Sequence, residues 1–343
     1  MSRFLRACRR QTVDCTPVWL MRQAGRYLPE YRGLLQKHSL LTLCKTPELA
    51  AEVTLQPIRR FSLDAAIIFA DILLPIEPMG LQLEFATGEG PVIHNPIRTE
   101  KDVQDLRTFD VQDGLGFVPA AIRMAVSELQ NTPLIGFAGA PFTVASYIIE
   151  GGHSRHFLKT KQFFYQMPRA WHQMMQKIST VTSQYLQQQV ESGASAVQLF
   201  DSWVGILSPE DYKTFVLPYS KQVLQDLRCP TIHFSTGTSS YLDLIAVAGG
   251  DVISVDWRIA LDEAWRRVPE KAIQGNLDPA SLLKSRSELI QDVRKILSLA
   301  AGRPGHIFNL GHGVFPETPM ENVEALVEEV HSYKASPPYK GGD

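Results

Sequence analysis

The sequence predicts an α/β protein: a single (β/α)8 TIM barrel with an excursion after the second strand. Three observations predict it. Short apolar runs recur along the chain, each followed by a polar or glycine-bearing turn and then a longer amphipathic stretch. Several runs are apolar throughout, as in Ala65-Ala66-Ile67-Ile68-Phe69-Ala70, the pattern of strands covered on both faces. The length of 343 residues suits one barrel, a fold that often runs to roughly 250 residues and beyond. A doubly wound open sheet would need a phosphate loop at its switch point, and neither GxGxxG nor GxxxxGK[ST] occurs.

The expected strands are Pro17–Leu20, Ala65–Ala70, Pro133–Phe137, Ser195–Phe200, Pro230–Phe234, Val252–Val255, Ala272–Gln274 and His306–Leu310. Helices are expected between them. Thr46-Pro47-Glu48 carries a hydroxyl N-cap, a proline at the first helical position and an acid in the first turn. Ser208-Pro209-Glu210 repeats the device, as does Thr318-Pro319-Met320-Glu321 with a capping-box glutamate. Apolar spacing predicts helices over Pro168–Gly193 and Ser285–Ala301. The excursion, residues 75–130, should hold a β-rich turn region around Glu84–Ile93 together with helices. The barrel is expected over residues 1–334, and residues 335–343 read as a disordered tail.

Composition excludes several classes. Formal charge is −2, from 34 basic and 36 acidic residues, which argues against a general nucleic-acid binder. The balance is uneven: Arg3, Arg6, Arg9, Arg10, Arg22, Arg26 and Arg32 face only Asp14 and Glu30 in the first 32 residues. A solvated basic N-terminus and an Arg-rich import signal are both readings of that segment. A strand-like run beginning by Pro17 leaves little to cleave and favours the former. Cys8, Cys15, Cys44 and Cys229 are scattered without CxxC spacing, which disfavours a zinc site or disulfide framework and suits a reducing cytosol. No apolar run reaches transmembrane length, so no membrane insertion is expected.

In this fold chemistry collects where strands end. Arg22 and Arg26 follow the first strand and are an anion clamp by type, since a guanidinium pairs with a carboxylate through two parallel hydrogen bonds. The alternative is a structural ion pair at the rim. Asp71 follows the second strand in apolar surroundings, where a carboxylate loses hydration and resists ionising unless a cation offsets it. It equally fits a helix N-cap. Tyr147, beyond the third strand, is on its own a packed aromatic, and Ser202, after the fourth, a turn residue. His312 lies between Gly311 and Gly313, glycines that would let it face a ligand.

These positions fall in a recognisable pattern. Pro17–Arg32, with Met21-Arg22-Gln23-Ala24-Gly25-Arg26-Tyr27-Leu28-Pro29 at its centre, resembles the signature of the uroporphyrinogen decarboxylase family. Gly139-Ala140-Pro141-Phe142-Thr143, Ser146-Tyr147, Phe200-Asp201-Ser202-Trp203, Gly275-Asn276-Leu277-Asp278-Pro279 and Asn309-Leu310-Gly311-His312-Gly313 agree in order. The resemblance runs from about Phe4 to near Tyr333. It implies that Arg22, Gln23, Ala24, Gly25 and Arg26 contact the substrate, and that Asp71 binds pyrrole N–H groups. It also implies that Tyr147, Ser202 and His312 line the pocket. Asp71, Arg22 and Arg26 would then be catalytic. The family implies a homodimer acting on uroporphyrinogen III without metal or organic cofactor, cytoplasmic in bacteria, with plastid or mitochondrial settings left open.

The chemistry accords with these residue types. The implied substrate carries eight carboxylates, so cations at the cleft rim would bind and steer it. Loss of CO2 from an acetate leaves electrons that a protonated pyrrole ring can accept, and a fixed carboxylate can stabilise that cationic ring. Arg22, Tyr147 and water all remain open as proton donors. Two rival readings stand beside this one. The related corrinoid methyltransferases bind zinc through a His-x-Cys near strand five, where this chain has His233-Phe234-Ser235 and no thiolate. A non-catalytic tetrapyrrole carrier on the same scaffold would not need an acid such as Asp71.

Overall fold

The computed structural model describes residues 1–86 and 90–334. The expected tail, 335–343, lies outside the described residues. Seven parallel strands form one curved sheet: β1 (Ala66–Ile67), β4 (Leu134–Gly139), β5 (Ala196–Asp201), β6 (Thr231–Ser235), β7 (Val252–Ser254), β8 (Ala272–Gln274) and β9 (His306–Ile307). They follow one another in chain order around the sheet, and helices connect them. A separate antiparallel hairpin pairs β2 (Leu83–Ala86) with β3 (Gly90–Ile93) inside the excursion.

The eighth position belongs to Pro17–Leu20, and its form differs from expectation. It is an extended segment with a single parallel bridge, Val18 to Phe308, rather than a regular strand. It still closes the barrel on both sides. Phe308 N–H donates to the Pro17 carbonyl at 2.8 Å, and Asp64 N–H donates to the Val18 carbonyl at 2.9 Å. The ladder is broken because side chains have taken its places. Val18 N–H donates to the Asp64 carboxylate (2.8 Å), Leu20 N–H to the Gln23 amide oxygen (3.0 Å) and Met21 N–H to the Asn309 amide oxygen (3.1 Å). Pro17 has no N–H to offer. The same substitution shortens β1, where Phe69 N–H turns to the Thr54 hydroxyl at 2.9 Å.

Inside the barrel the strands present a polar layer and an aromatic one. Trp19 donates its indole N–H to Gln274 (2.9 Å), and Gln274 donates in turn to Gln198 (3.0 Å) and Ser254 (2.9 Å), all four residues being fully buried. Such hydrogen bonding is what makes burial of three polar side chains tolerable. Phe137, Phe200 and Phe234 pack edge to face, with centroids 5.3 and 5.4 Å apart, and Phe234 meets the His312 ring at 6.0 Å. They supply an apolar surface beneath the residues at the strand ends.

The helical layer follows the sequence signals with two exceptions. Pro168–Glu191 and Arg286–Ala300 are helices, the latter opened by a Ser285/Glu288 capping box, and Ser208 caps Pro209–Phe215 through Asp211 N–H. Thr46 precedes the helix Pro47–Arg60 but makes no side-chain cap. The last helix, Met320–Ser332, begins after Pro319 instead of at Thr318, so its expected capping box is absent. At the other end of the chain the Arg-rich segment is structured. Arg3–Cys8 is a helix that buries Phe4 and Ala7, while Arg3 reaches Asp14 and Asp64. No helix among the described residues is long and apolar enough to cross a membrane.

Candidate active site

The loop after Pro17–Leu20 is fixed before it presents any charge. Its anchor is Gln23, which is 1 % exposed and fully engaged. The side chain accepts from Leu20 N–H and donates to the Ala65 carbonyl at 3.1 Å. The backbone N–H donates to the Leu20 carbonyl, and the backbone carbonyl accepts from the Tyr27 hydroxyl at 2.7 Å. These hydrogen bonds tie Gln23 to the scaffold, and through them it positions its neighbours. Ala24 and Gly25 are partly exposed, and Arg22 and Arg26 are exposed. Among the described residues, the N–H groups of Ala24, Gly25 and Arg26 have no hydrogen-bond acceptor.

Arg22 adopts a left-handed backbone conformation (φ 60°), uncommon away from glycine. Its aliphatic stem lies across Gly313, where an added Cβ would come within 2.7 Å of the Arg22 Cγ. Gly311 is constrained in the same way. A Cβ there would sit 2.7 Å from the Trp257 backbone nitrogen and 2.9 Å from the Asp256 Cα. Gly311 is thus required by close approach of the Asp256–Trp257 backbone, while a side chain at Gly313 would displace the stem of Arg22.

Asp71 sits past β1 and combines both readings that its sequence context left open. One carboxylate oxygen accepts from Leu73 N–H at 2.8 Å, capping the turn that leads into Leu74–Ile76. The other has no hydrogen-bond partner among the described residues, and the side chain keeps partial access to solvent. Burial raises its pKa to about 6, against the opposing pull of the Leu73 N–H and the Arg22 guanidinium. Arg22 and Asp71 are thereby in one electrostatic neighbourhood.

Tyr147 joins them from the helix Pro141–Glu150. Desolvation raises its pKa, the Asp71 carboxylate adds to the rise, and Trp203 and Arg22 oppose it. Its ring meets Trp203 edge to face at 6.0 Å. His312 is also held neutral. Burial lowers its pKa to about 4, with Arg22 and Arg258 pushing the same way. Its Nδ1 accepts from Gly313 N–H at 2.8 Å, so the proton resides on Nε2. This environment suits a neutral hydrogen-bond donor rather than a cation. Ser202, just past β5, is partly exposed, and its carbonyl accepts from Thr236.

Further side chains border these residues. Trp203 packs against Tyr147, His153 and Phe157. Tyr31, which meets Phe69 edge to face, has its pKa raised to about 12, mainly by burial, and also feels Arg26 and Asp71. Arg258 follows Asp256-Trp257 past the end of β7. At the place where a His-x-Cys zinc pair would stand, His233 faces Asp201 at 3.9 Å and Ser235 shares a hydrogen bond with Thr238 at 2.7 Å.

The family model described as Uroporphyrinogen decarboxylase (URO-D) matches residues 1–333. A uroporphyrinogen decarboxylase of Sorangium cellulosum is 56 % identical over 336 residues, covering 96 % of both chains. One from Carboxydothermus hydrogenoformans is 54 % identical over 333 residues, covering 96 % of this chain and 95 % of its own. Among solved structures, a methyltransferase from Methanosarcina mazei superposes with a TM-score of 0.83 at 20 % identity, covering 96 % of this chain and 97 % of its own. At that identity the likeness is one of fold. Matched over nearly its whole length by the family model and by relatives above 50 % identity, this chain belongs to the uroporphyrinogen decarboxylase family.

Proposed function

We propose that this protein is a uroporphyrinogen decarboxylase, a carboxy-lyase that converts the four acetate side chains of uroporphyrinogen III to methyls, giving coproporphyrinogen III in tetrapyrrole biosynthesis. One barrel over residues 1–334 would house the site. The observation that carries the reading is Asp71: a carboxylate desolvated by its surroundings, with one oxygen unpartnered among the described residues and the Arg22 guanidinium acting on it. Family membership points the same way. A group in that state is suited to meeting a cation that forms only during reaction.

The ring α-carbon adjacent to the acetate-bearing carbon takes a proton, and the ring becomes cationic. The bond to the carboxylate then breaks, its electron pair flows into the ring, CO2 leaves and an exocyclic methylene remains. A second proton converts the methylene to a methyl, and the ring carbon returns the first. Asp71 accepts hydrogen bonds from the pyrrole N–H groups and stabilises each cationic ring. Arg22 and Arg26 hold carboxylates at the rim, with Ala24 and Gly25 exposing backbone N–H groups between them. Tyr147, Ser202 and His312 orient the macrocycle as neutral groups. The ring serves as its own electron sink, so the scheme uses no metal or organic cofactor. Homodimerisation and a cytoplasmic setting complete the reading on family grounds, the latter also fitting four free cysteines.

Incubating the purified protein with uroporphyrinogen III and trapping the gas tests the proposal. Four equivalents of CO2 per macrocycle are expected, with coproporphyrinogen III as product. Tight binding without CO2 would favour a carrier and overturn the enzyme reading.

A further inference from the structure

Arg258 stands at the barrel mouth in a prepared setting. Asp256 fixes the turn that carries it: one carboxylate oxygen accepts from Gly237 N–H at 2.7 Å, and the other from Arg258 N–H at 2.9 Å. The guanidinium pairs with Asp256 through Nη1 and lies 4.5 Å from the centre of the Trp257 ring. It is thereby oriented on two sides although its side chain is 52 % exposed. The neighbouring rim loop then supplies the geometry. Gly311 packs against Asp256 and Trp257, and Gly313 packs against the stem of Arg22. Residue 312 thus stands between the loop that carries Arg258 and the loop that carries Arg22.

We propose that Arg258 is a further substrate-positioning residue: with Arg22 it flanks His312 as a two-guanidinium subsite that takes one carboxylate side chain of the bound tetrapyrrole. The inference rests on the decarboxylase reading above. A guanidinium offers five N–H donors, and the pair with Asp256 engages one nitrogen, leaving the rest of the fork for a ligand. Asp256 accepts three hydrogen bonds already, so it is a weak competitor for the second cation. Between the two guanidinium groups, His312 can add a neutral Nε2–H donor. An anion is the ligand such a set recognises.

Arg258→Gln and Arg258→Lys test this by two readouts. The first is steady-state kinetics on uroporphyrinogen III across a salt series. The second is equilibrium binding of uroporphyrin, the stable oxidised octacarboxylate, followed by its fluorescence. For Arg258→Gln we expect KM and Kd to rise about three- to tenfold, with kcat within about twofold of wild type and a shallower dependence of log KM on log salt. Arg258→Lys keeps the charge but not the fork, so it should restore the salt dependence and only part of the affinity. Unchanged affinity and salt dependence in Arg258→Gln would overturn the subsite. Failure of the wild type to release CO2 would defeat the decarboxylase reading instead, and the binding readout would still judge Arg258.

Discussion

Asp71 is held in a state that its own solvation opposes. Burial raises its pKa to about 6, so near neutrality the folded protein keeps an ionised carboxylate at some cost in stability. The sign follows from the direction of the shift. Above about 6 the native carboxylate is charged and destabilising. As pH falls from there toward the unfolded value near 4 it takes up a proton and the penalty fades. Asp71→Asn should therefore melt at or above the wild-type temperature at pH 8, and the difference should close by about pH 4. The kcat/KM of the wild type should drop as pH falls through about 6, and this limb should vanish in the variant. Thermal melts and a pH–rate series check both.

His312 bears the opposite shift, to about 4, and is neutral wherever the enzyme is assayed near pH 7. His312→Asn should keep measurable turnover with the acid limb unmoved, and Tyr147→Phe more than about a tenth of turnover, since each loses a neutral hydrogen bond of about 0.5–1.5 kcal/mol. Abolished turnover with loss of a limb in the pH profile would make either residue a proton carrier. At this scale residue type was legible in the sequence: the acid, the paired arginines and the rim histidine were all visible. The scaffold role of Gln23 was not, because the partners of its amide lie in the wall and no local pattern marks them. His312's charge state was not either, since it is set first by burial and then by Arg22 and Arg258 from other loops.

At the scale of elements, hydrophobic periodicity located the strands because each is buried on both faces. It failed at their ends. Val18, Leu20, Met21 and Phe69 all donate to side-chain oxygens of residues distant in sequence or outside the ladder, and nothing local announces those substitutions. Caps behaved alike: Ser285 and Ser208 close theirs, whereas Thr46 and Thr318 do not. The rim glycines give this scale its test. Gly313→Ala places a methyl where the Arg22 stem lies, so Arg22 must move. The fold should hold, with circular dichroism unchanged. KM for uroporphyrinogen should rise about fivefold or more, as expected when an arginine loses its alignment with a carboxylate. An unchanged KM would show that Arg22 binds from more than one pose.

In the whole molecule three levels of structure join. Side-chain hydrogen bonds replace part of the strand ladder and pin the Arg22 loop. That loop, the Asp71 turn and the Arg258 turn meet around one mouth above a floor of Phe137, Phe200 and Phe234. The apolar floor and the desolvated carboxylate belong together, because low polarity is what makes a fixed anion effective against a transient cation. The central claim is therefore that Asp71 acts on the transition state more than on the bound substrate. Saturation kinetics of Asp71→Asn on uroporphyrinogen III test it most directly. The account predicts kcat lower by about 10²-fold or more with KM within a few-fold of wild type. A variant whose kcat is unchanged while KM alone rises would make Asp71 a binding residue and contradict the claim.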